Sequence, residues 1–297
     1  MKVSGFTFVK DAVRFSFPVV ESIRSMLPVC DEVIVNVGLP DTDNTFNHIR
    51  KNVRSSKVRI IRTEWDPLFK VKGRILAQQT NIPLYQCKGD WCLYLQADEV
   101  LHEDDHAALV RSMKENLKDG KVEGLVFDYL HFFGSYRTYV RSYHWYKREI
   151  RIVRNHIGVT SWRSAQSFRI DGRKLFVKPA HGRVFHYGWV RPPEAMIAKK
   201  QYHDSLHHGN RVFQEEKDRY RTYFEFVDQI DPFMIAEYNA SHPVVMQKRI
   251  REWKYVFDKT KSHHKISSRD IRYRLTDILS SLTGFRLGEY RNFKLIK

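Results

Sequence analysis

GDWCLYLQADEV, residues 89–100, is the stretch on which the reading of the chain turns. Gly89 supplies a turn, and the unbroken apolar run through Leu93 and Leu95 suits a strand covered on both faces. The run ends abruptly at Asp98 and Glu99. A strand covered on both faces belongs to a sheet with helices on each side. Its carboxylates then emerge at the C-terminal edge of that sheet, where open α/β folds bind ligands.

Working outward, short β-branched runs alternate with helical patterns, as in a mostly parallel sheet flanked by helices. GFTFV reads as a strand, and Pro18 suits the first turn of a helix with Val19, Val20, Ile23 and Leu27 on one face. DEVIVNVG is a strand closed by Gly38, and the loop LPDTDNT offers turn and N-cap residues to a helix near residues 44–54. KVRIIR is the next strand, and residues 73–87 read as a helix started or bent at Pro83. Beyond the acidic end, a helix is expected over 104–118, then strands in GLVFDY, EIRIVRN and VFHYGW. From Pro192 the pattern turns helical, with Gly209 as a stop signal. The expected architecture is an α/β domain over 1–191 with a mainly helical region, 192–297, packed on it.

A chain of 297 residues can bury a sizeable core without staples. Cys30, Cys87 and Cys92 have no CxxC spacing and are too few for a disulfide framework, so they read as buried, reduced thiols. No apolar run reaches about eighteen residues, and the N-terminus lacks the apolar stretch of a signal peptide. The expectation is a cytoplasmic protein, soluble or peripheral to the inner face of a membrane. The 51 Lys and Arg against 34 Asp and Glu give +17, which calls for an anionic partner: a nucleotide diphosphate, a phospholipid surface or nucleic acid.

Gln96, Asp98 and Glu99 form the first candidate site, since strand-end carboxylates offer oxygen ligands to Mg2+ or Mn2+. Such a cation neutralises the charge gathering on a departing nucleoside diphosphate. The competing reading is structural: Asp98, Glu99, Glu103, Asp104 and Asp105 can simply favour a helix N-terminus. His186, late in a strand, can complete a metal shell or serve as an ordinary hydrogen-bonded histidine, with His181 as a rival. Arg191 can pair with a diphosphate. Asp41 and Asp43 can hold a ribose or a base edge, or merely shape their turn. Lys72, Gly73 and Arg74, at a helix start, can contact phosphate. A base that accepts a hydroxyl proton is sought in Glu149 or Asp128; the aromatics beside Glu149 can form a sugar platform and raise its pKa, while Lys147, Arg148 and Arg151 can simply balance its charge.

Together these segments resemble the family 2 type glycosyltransferases of the GT-A fold, in particular a bacterial nucleotide-sugar-dependent group. The resemblance is carried by GFTFVKDAVRFSFPVVESIRSMLPVCDEVIVNVG, GRILAQQTNIPL, LYLQADEVLHEDD, WYKREIRIVRN, FRIDGRKLFVKPA, FHYGWVRPPEAM and TGFRLGEYRNFKLI. It implies a GT-A-like sheet with a helical C-terminal extension, and an Asp-x-Asp motif that binds metal and donor diphosphate. Asp98 matches the second Asp of that motif, whereas Gln96 stands at the first. His186 matches a late metal ligand, and Asp41 and Asp43 fall in the region that holds base and ribose. Ser164 stands where an acceptor-side Asp is expected.

The resemblance implies inverting transfer of a sugar from a nucleotide-sugar donor to a hydroxyl on a cell-envelope glycan or lipid-linked acceptor, assisted by Mn2+ or Mg2+. Metal held by so few side chains is expected to bind well only with donor present. Two other classes stay open: a basic nucleic-acid-binding module, suggested by SYRTYVRSYHWYKR, and a non-catalytic scaffold, suggested by Gln96 and Ser164. No recognisable nucleic-acid motif accompanies the basic residues, so no stable nucleic-acid partner is expected.

Overall fold

The computed structural model describes residues 1–69, 73–208, 230–285 and 289–296. Lys72 and the expected stop at Gly209 lie outside the described residues. Strands β1 (Val3–Val9), β2 (Glu32–Leu39), β3 (Val58–Glu64) and β4 (Trp91–Tyr94) run parallel in the order β3-β2-β1-β4. β1, β2 and β4 are buried along almost their whole length, as their apolar runs require, while β3 at the edge is half-buried. Helix α1 (Val19–Met26) covers one face, its Val19, Val20, Ile23 and Met26 packing with Val33, Val35, Trp91 and Leu93. On the other face Phe6, Ile34 and Tyr94 meet Leu84 of α3 (Arg74–Leu84), in whose last turn Pro83 sits. Helix α2 (Thr45–Asn52) follows β2, and α4 (His106–Glu115) follows a 3-10 turn at Glu103–Asp105. The expected α/β class, with a parallel central sheet flanked by helices, is what the chain forms.

The acidic end departs from a plain strand terminus. β4 stops at Tyr94, the chain turns through Leu95–Asp98, and Glu99 opens a new short strand, β5 (Glu99–Leu101). The turn closes because Glu99 N–H donates to Gln96 C=O (3.0 Å) and Gln96 N–H donates to the Glu99 carboxylate (3.0 Å). Two serines of α1 hold it: Ser22 Oγ donates to Gln96 C=O, and Ser25 Oγ accepts from Leu101 N–H.

The sheet continues through β6 (Gly124–Phe133), β7 (Thr138–Val140) and β8 (Arg148–Arg154), with β8 antiparallel to β4 and to β6. β9 (Val159–Trp162), β10 (Ser167–Ile170) and β11 (Arg173–Lys174) form a small antiparallel sheet. The long β12 (Phe176–Trp189) then runs parallel to β6 and antiparallel to β5, placing His186 beside His131 and Glu99 in register.

The region from Pro192 onward opens with α5 (Pro193–His208) but is not helical throughout. β13 (Ile235–Glu237) pairs with β7, and β14 (Lys294–Leu295) pairs with β12, so both ends of this region are sewn into the main sheet. Between them lie α6 (Gln247–Arg251) and α7 (Ser268–Thr283), the latter started by a Ser267–Asp270 capping box and stopped at the left-handed Gly284. Among the described residues no helix is long and apolar enough to cross a membrane.

Candidate active site

A cavity of about 680 Å³ opens beyond the C-terminal ends of β1 and β4. Phe15, Trp65 and Tyr202 line one side, with Tyr202 tilted against Phe15 (5.2 Å) and Trp65 (6.4 Å). Trp145, Tyr146 and Trp189 line another, and Lys10, Lys199 and Lys200 bring positive charge to the rim. Trp65 fits because residue 38 is glycine: a Cβ there would lie 2.3 Å from the indole Nε1. That Nε1 is buried with no hydrogen-bond partner among the described residues, a donor left over for a ligand.

Asp98 lies in the cavity at the turn after β4, only 5% exposed. Its Oδ2 accepts from Lys199 Nζ at 3.1 Å and Arg191 Nη2 at 3.2 Å, while Oδ1 faces His186 Nε2 at 3.8 Å. Burial works against ionisation, but the Lys199 and Arg191 charges outweigh it and hold the carboxyl well below its usual range. Burial and the neighbouring Arg191 charge pull Lys199 down to about 8.

The histidines form a chain of defined direction. His131 Nε2 is 2.7 Å from Tyr146 C=O, and a carbonyl only accepts, so that nitrogen carries the proton. Burial above all drives His131 well below its ordinary pKa, so it is neutral and its Nδ1 accepts. His131 Nδ1 lies 2.9 Å from His186 Nδ1, which therefore donates. Burial likewise lowers the His186 pKa. The hydrogen-bond partners thus assign His186 the Nδ1–H tautomer, leaving the Nε2 lone pair toward Asp98. Gly188 makes room for this approach, since a Cβ there would meet His186 Nε2 at 2.4 Å and Asp98 Oδ2 at 3.1 Å.

One carboxylate oxygen and one imidazole lone pair turned toward each other suit a divalent cation. Among the described residues no group of three or more His, Cys, Asp or Glu is placed to hold a metal. Asp98 and His186 are the two side chains here that could hold a cation, and a bound phosphate or water would have to complete its shell.

Glu99 is not the partner of Asp98 that its position suggests. Fully buried, it receives Arg151 through Nε and Nη2, both at 2.8 Å, and Tyr129 Oη at 3.0 Å. This ion pair is a strut under the turn; removing one partner of such a pair costs about 3–5 kcal/mol.

The other candidates fall into two groups. Gln96 and Ser164 line the cavity, with Gln96 Nε2 donating to Ala165 C=O. Arg191 does not line it: buried, it donates to Phe15 C=O (2.6 Å) and Gly188 C=O (3.2 Å) as well as to Asp98, and so braces that carboxylate from behind. Asp43 accepts from Thr45 N–H, Val13 N–H and Arg14 N–H, and Asp41 accepts from Phe46 N–H. Both receive amides at the start of α2, Asp43 also ties its loop to the one after β1, and neither lines the cavity. Arg74 is exposed at the start of α3, and His181 is exposed on β12. Glu149 is buried on β8, its carboxylate accepting from Asn292 Nδ2 (2.7 Å) and Ile150 N–H (3.0 Å); burial does raise its pKa, but outside the cavity. Asp128 is exposed on β6, in register with Arg148 and Arg183. The aromatics just before Glu149 do reach the cavity, whereas the carboxylate does not.

Sequence reasoning missed Lys199, His131 and Gly188. Lys199 was findable as a lysine in the first turns of the helix that follows the His186 strand. His131 sits in the apolar run LHFF, and nothing local marks it.

No family model matches the chain, and no curated protein matches it. Among solved structures it is similar in part to S. aureus TarS 1-349 in complex with UDP, at 18% identity and a TM-score of 0.33, covering 46% of this chain and 37% of that one. It is also similar in part to glucosyl-3-phosphoglycerate synthase from Mycobacterium tuberculosis in complex with Mn2+, UDP and phosphoglyceric acid, at 16% identity and a TM-score of 0.29, covering 44% and 43%. Each overlap spans less than half of either chain.

Proposed function

We propose that this chain is a glycosyltransferase that takes a sugar from a nucleotide-sugar donor and passes it, with inversion, to an acceptor hydroxyl of a glycan or lipid-linked glycan. One observation carries the reading: Asp98 Oδ1 and His186 Nε2 face each other in a cavity walled by aromatic rings and lysines, at the C-terminal edge of a parallel sheet. Asp98 and His186 would hold Mn2+ or Mg2+, which when bound supplies Lewis-acid stabilisation to the leaving nucleoside diphosphate. Lys199 and Lys200 add fixed positive charge for the same diphosphate. The Trp145 and Trp189 faces suit a sugar ring, and the spare Trp65 N–H suits a ribose or base acceptor.

Two cations already hold the Asp98 carboxylate, so it is poorly placed to attack an anomeric carbon. That supports direct displacement: the acceptor oxygen, giving up its proton to solvent or to the departing diphosphate, bonds to the anomeric carbon as the bond to the diphosphate breaks. Besides Asp98, the one carboxylate among the described lining residues is Asp204, which accepts from Lys200 at 2.7 and 2.8 Å.

The test is a thermal-shift screen of nucleotide sugars with and without Mn2+, followed by donor hydrolysis, on wild type and Asp98→Asn. A donor at about a hundred times its Kd stabilises a protein by about 2.7 kcal/mol. The wild type should shift with one donor in a Mn2+-dependent way, and Asp98→Asn should lose both shift and turnover while still folding. No shift with any donor, or full turnover in Asp98→Asn, sinks the reading.

A further inference from the structure

Helix α7 is amphipathic in the reverse of the usual sense. Its inner face is polar: Asp277 accepts from Tyr143 N–H (3.0 Å), Arg274 forks onto Asp231 (2.7 and 2.8 Å), and Tyr273 stacks on His144 (3.4 Å). Its outer face is aliphatic. Ile271, Leu275, Ile278, Leu279 and Leu282 are 54%, 57%, 43%, 49% and 78% exposed, and Phe285, just past the helix stop, is 73% exposed. The spacing i, i+4, i+7, i+8, i+11 puts these helical residues on one stripe, directly opposite Asp270, Asp277 and Ser280. The helix is thus fastened to its domain largely by polar contacts and Tyr273, and its outward leucines have no apolar cover among the described residues.

The charge around the stripe says which partner. The exposed Arg272 borders it on one side, Arg274 on the other side being held by Asp231, and residues 248–297 carry fourteen Lys and Arg against five Asp and Glu. An aliphatic stripe with an exposed arginine at its border, in a segment with a large excess of basic residues, is the pattern of a helix lying in a lipid interface, with leucines among the acyl chains and basic side chains at anionic headgroups. A nucleic acid would reward the charge but not the five aliphatic side chains.

We infer that α7 docks this protein on an anionic bilayer surface, with Ile271, Leu275, Ile278, Leu279 and Leu282 entering the lipid. The inference stands apart from sugar transfer, because vesicle binding by a chain that transfers nothing would leave it intact.

The test is co-sedimentation of the full chain with vesicles of phosphatidylcholine alone and of phosphatidylcholine with about one-third phosphatidylglycerol. The comparison protein carries Leu275→Ser, Leu279→Ser and Leu282→Ser, changes on exposed side chains that leave the polar anchors in place. Wild type should bind the anionic vesicles, bind neutral ones far more weakly, and weaken as salt is added. The triple variant should lose about tenfold or more in partitioning at an unchanged melting temperature. Failure of wild type to sediment with anionic vesicles overturns the inference, as does equal binding by the variant. A wild-type dimer that the triple substitution dissociates, without vesicle binding, would assign the stripe to a second copy of the chain and also overturn it.

Discussion

Gly188→Ala puts the geometry of the candidate site to its sharpest test, because the whole perturbation is one methyl group. Gly188 does not occupy the left-handed region, so its backbone admits alanine, and the effect comes from the Cβ alone. That Cβ would lie 2.4 Å from His186 Nε2, 2.6 Å from His186 Cε1 and 3.1 Å from Asp98 Oδ2. Non-bonded heavy atoms rest near about 3.5 Å, so the imidazole must retreat by about 1 Å. Its other nitrogen is bonded to the buried His131, so retreat also strains that bond. Displacement by about 1 Å costs on the order of a hundredfold in turnover, or about 2.7 kcal/mol of barrier. Overpacking adds about 1–3 kcal/mol of lost stability. The assay pairs donor hydrolysis with Mn2+ titration by electron paramagnetic resonance in the presence of nucleoside diphosphate, and Gly120→Ala, whose Cβ meets nothing within 4 Å, is the control. Wild-type turnover and Mn2+ affinity in Gly188→Ala would refute the pairing of His186 with Asp98.

His131→Phe removes the acceptor of His186 Nδ1–H; nitrogen-edited NMR of the imidazoles should show a single Nδ1–H tautomer of His186 in wild type and a mixture in the variant, and an unchanged spectrum would break the assigned chain. Glu149→Gln should keep donor turnover within about threefold, because the carboxylate is spent on Asn292 outside the cavity, whereas loss of turnover with donor binding retained would restore Glu149 as the base. Asp270 is held down from 3.8 to about 2: burial opposes its ionisation, but the Ser267 hydroxyl and amide bonds outweigh burial. A depressed carboxyl stabilises the fold fully above 3.8 and loses that contribution as the pH falls toward 2, so the melting gap between wild type and Asp270→Asn should be full at about pH 5 and close over that window. A gap that persists at the acid end would contradict the capping role.

The parallel half of the sheet was legible because its strands announce themselves locally: the apolar runs of β2 and β4 are followed by turn residues, and the helices between them carry clear apolar faces. Asp98 drew notice as the first carboxylate after an apolar strand, and His186 as an imidazole late in another, and both line the cavity. Glu99 was misleading, since adjacent carboxylates look alike in sequence, and only β5 pairing with β12 turns one toward Arg151 and leaves the other in the cavity. Glu149 and Arg191 failed similarly. A strand residue's neighbours in sequence can reach a cavity that it does not, and an arginine's destination depends on carbonyls as distant as that of Phe15. The β13 and β14 strands are three and two residues long, too short for any periodicity to mark them within a charged tail.

Tyr273 does more than anchor α7, because His144, the ring it stacks on, is itself part of the cavity lining. The helix that turns its leucines outward and the cavity wall are thus separated by two stacked rings. With α7 lying on a bilayer, the cavity stands within about one helix diameter, roughly 10 Å, of the headgroups. An acceptor dissolved in that bilayer would then be sought by lateral diffusion in two dimensions, at the millimolar effective concentration that tethering confers. Its capture would depend on how densely the lipid is populated, with little regard to the bulk volume around it.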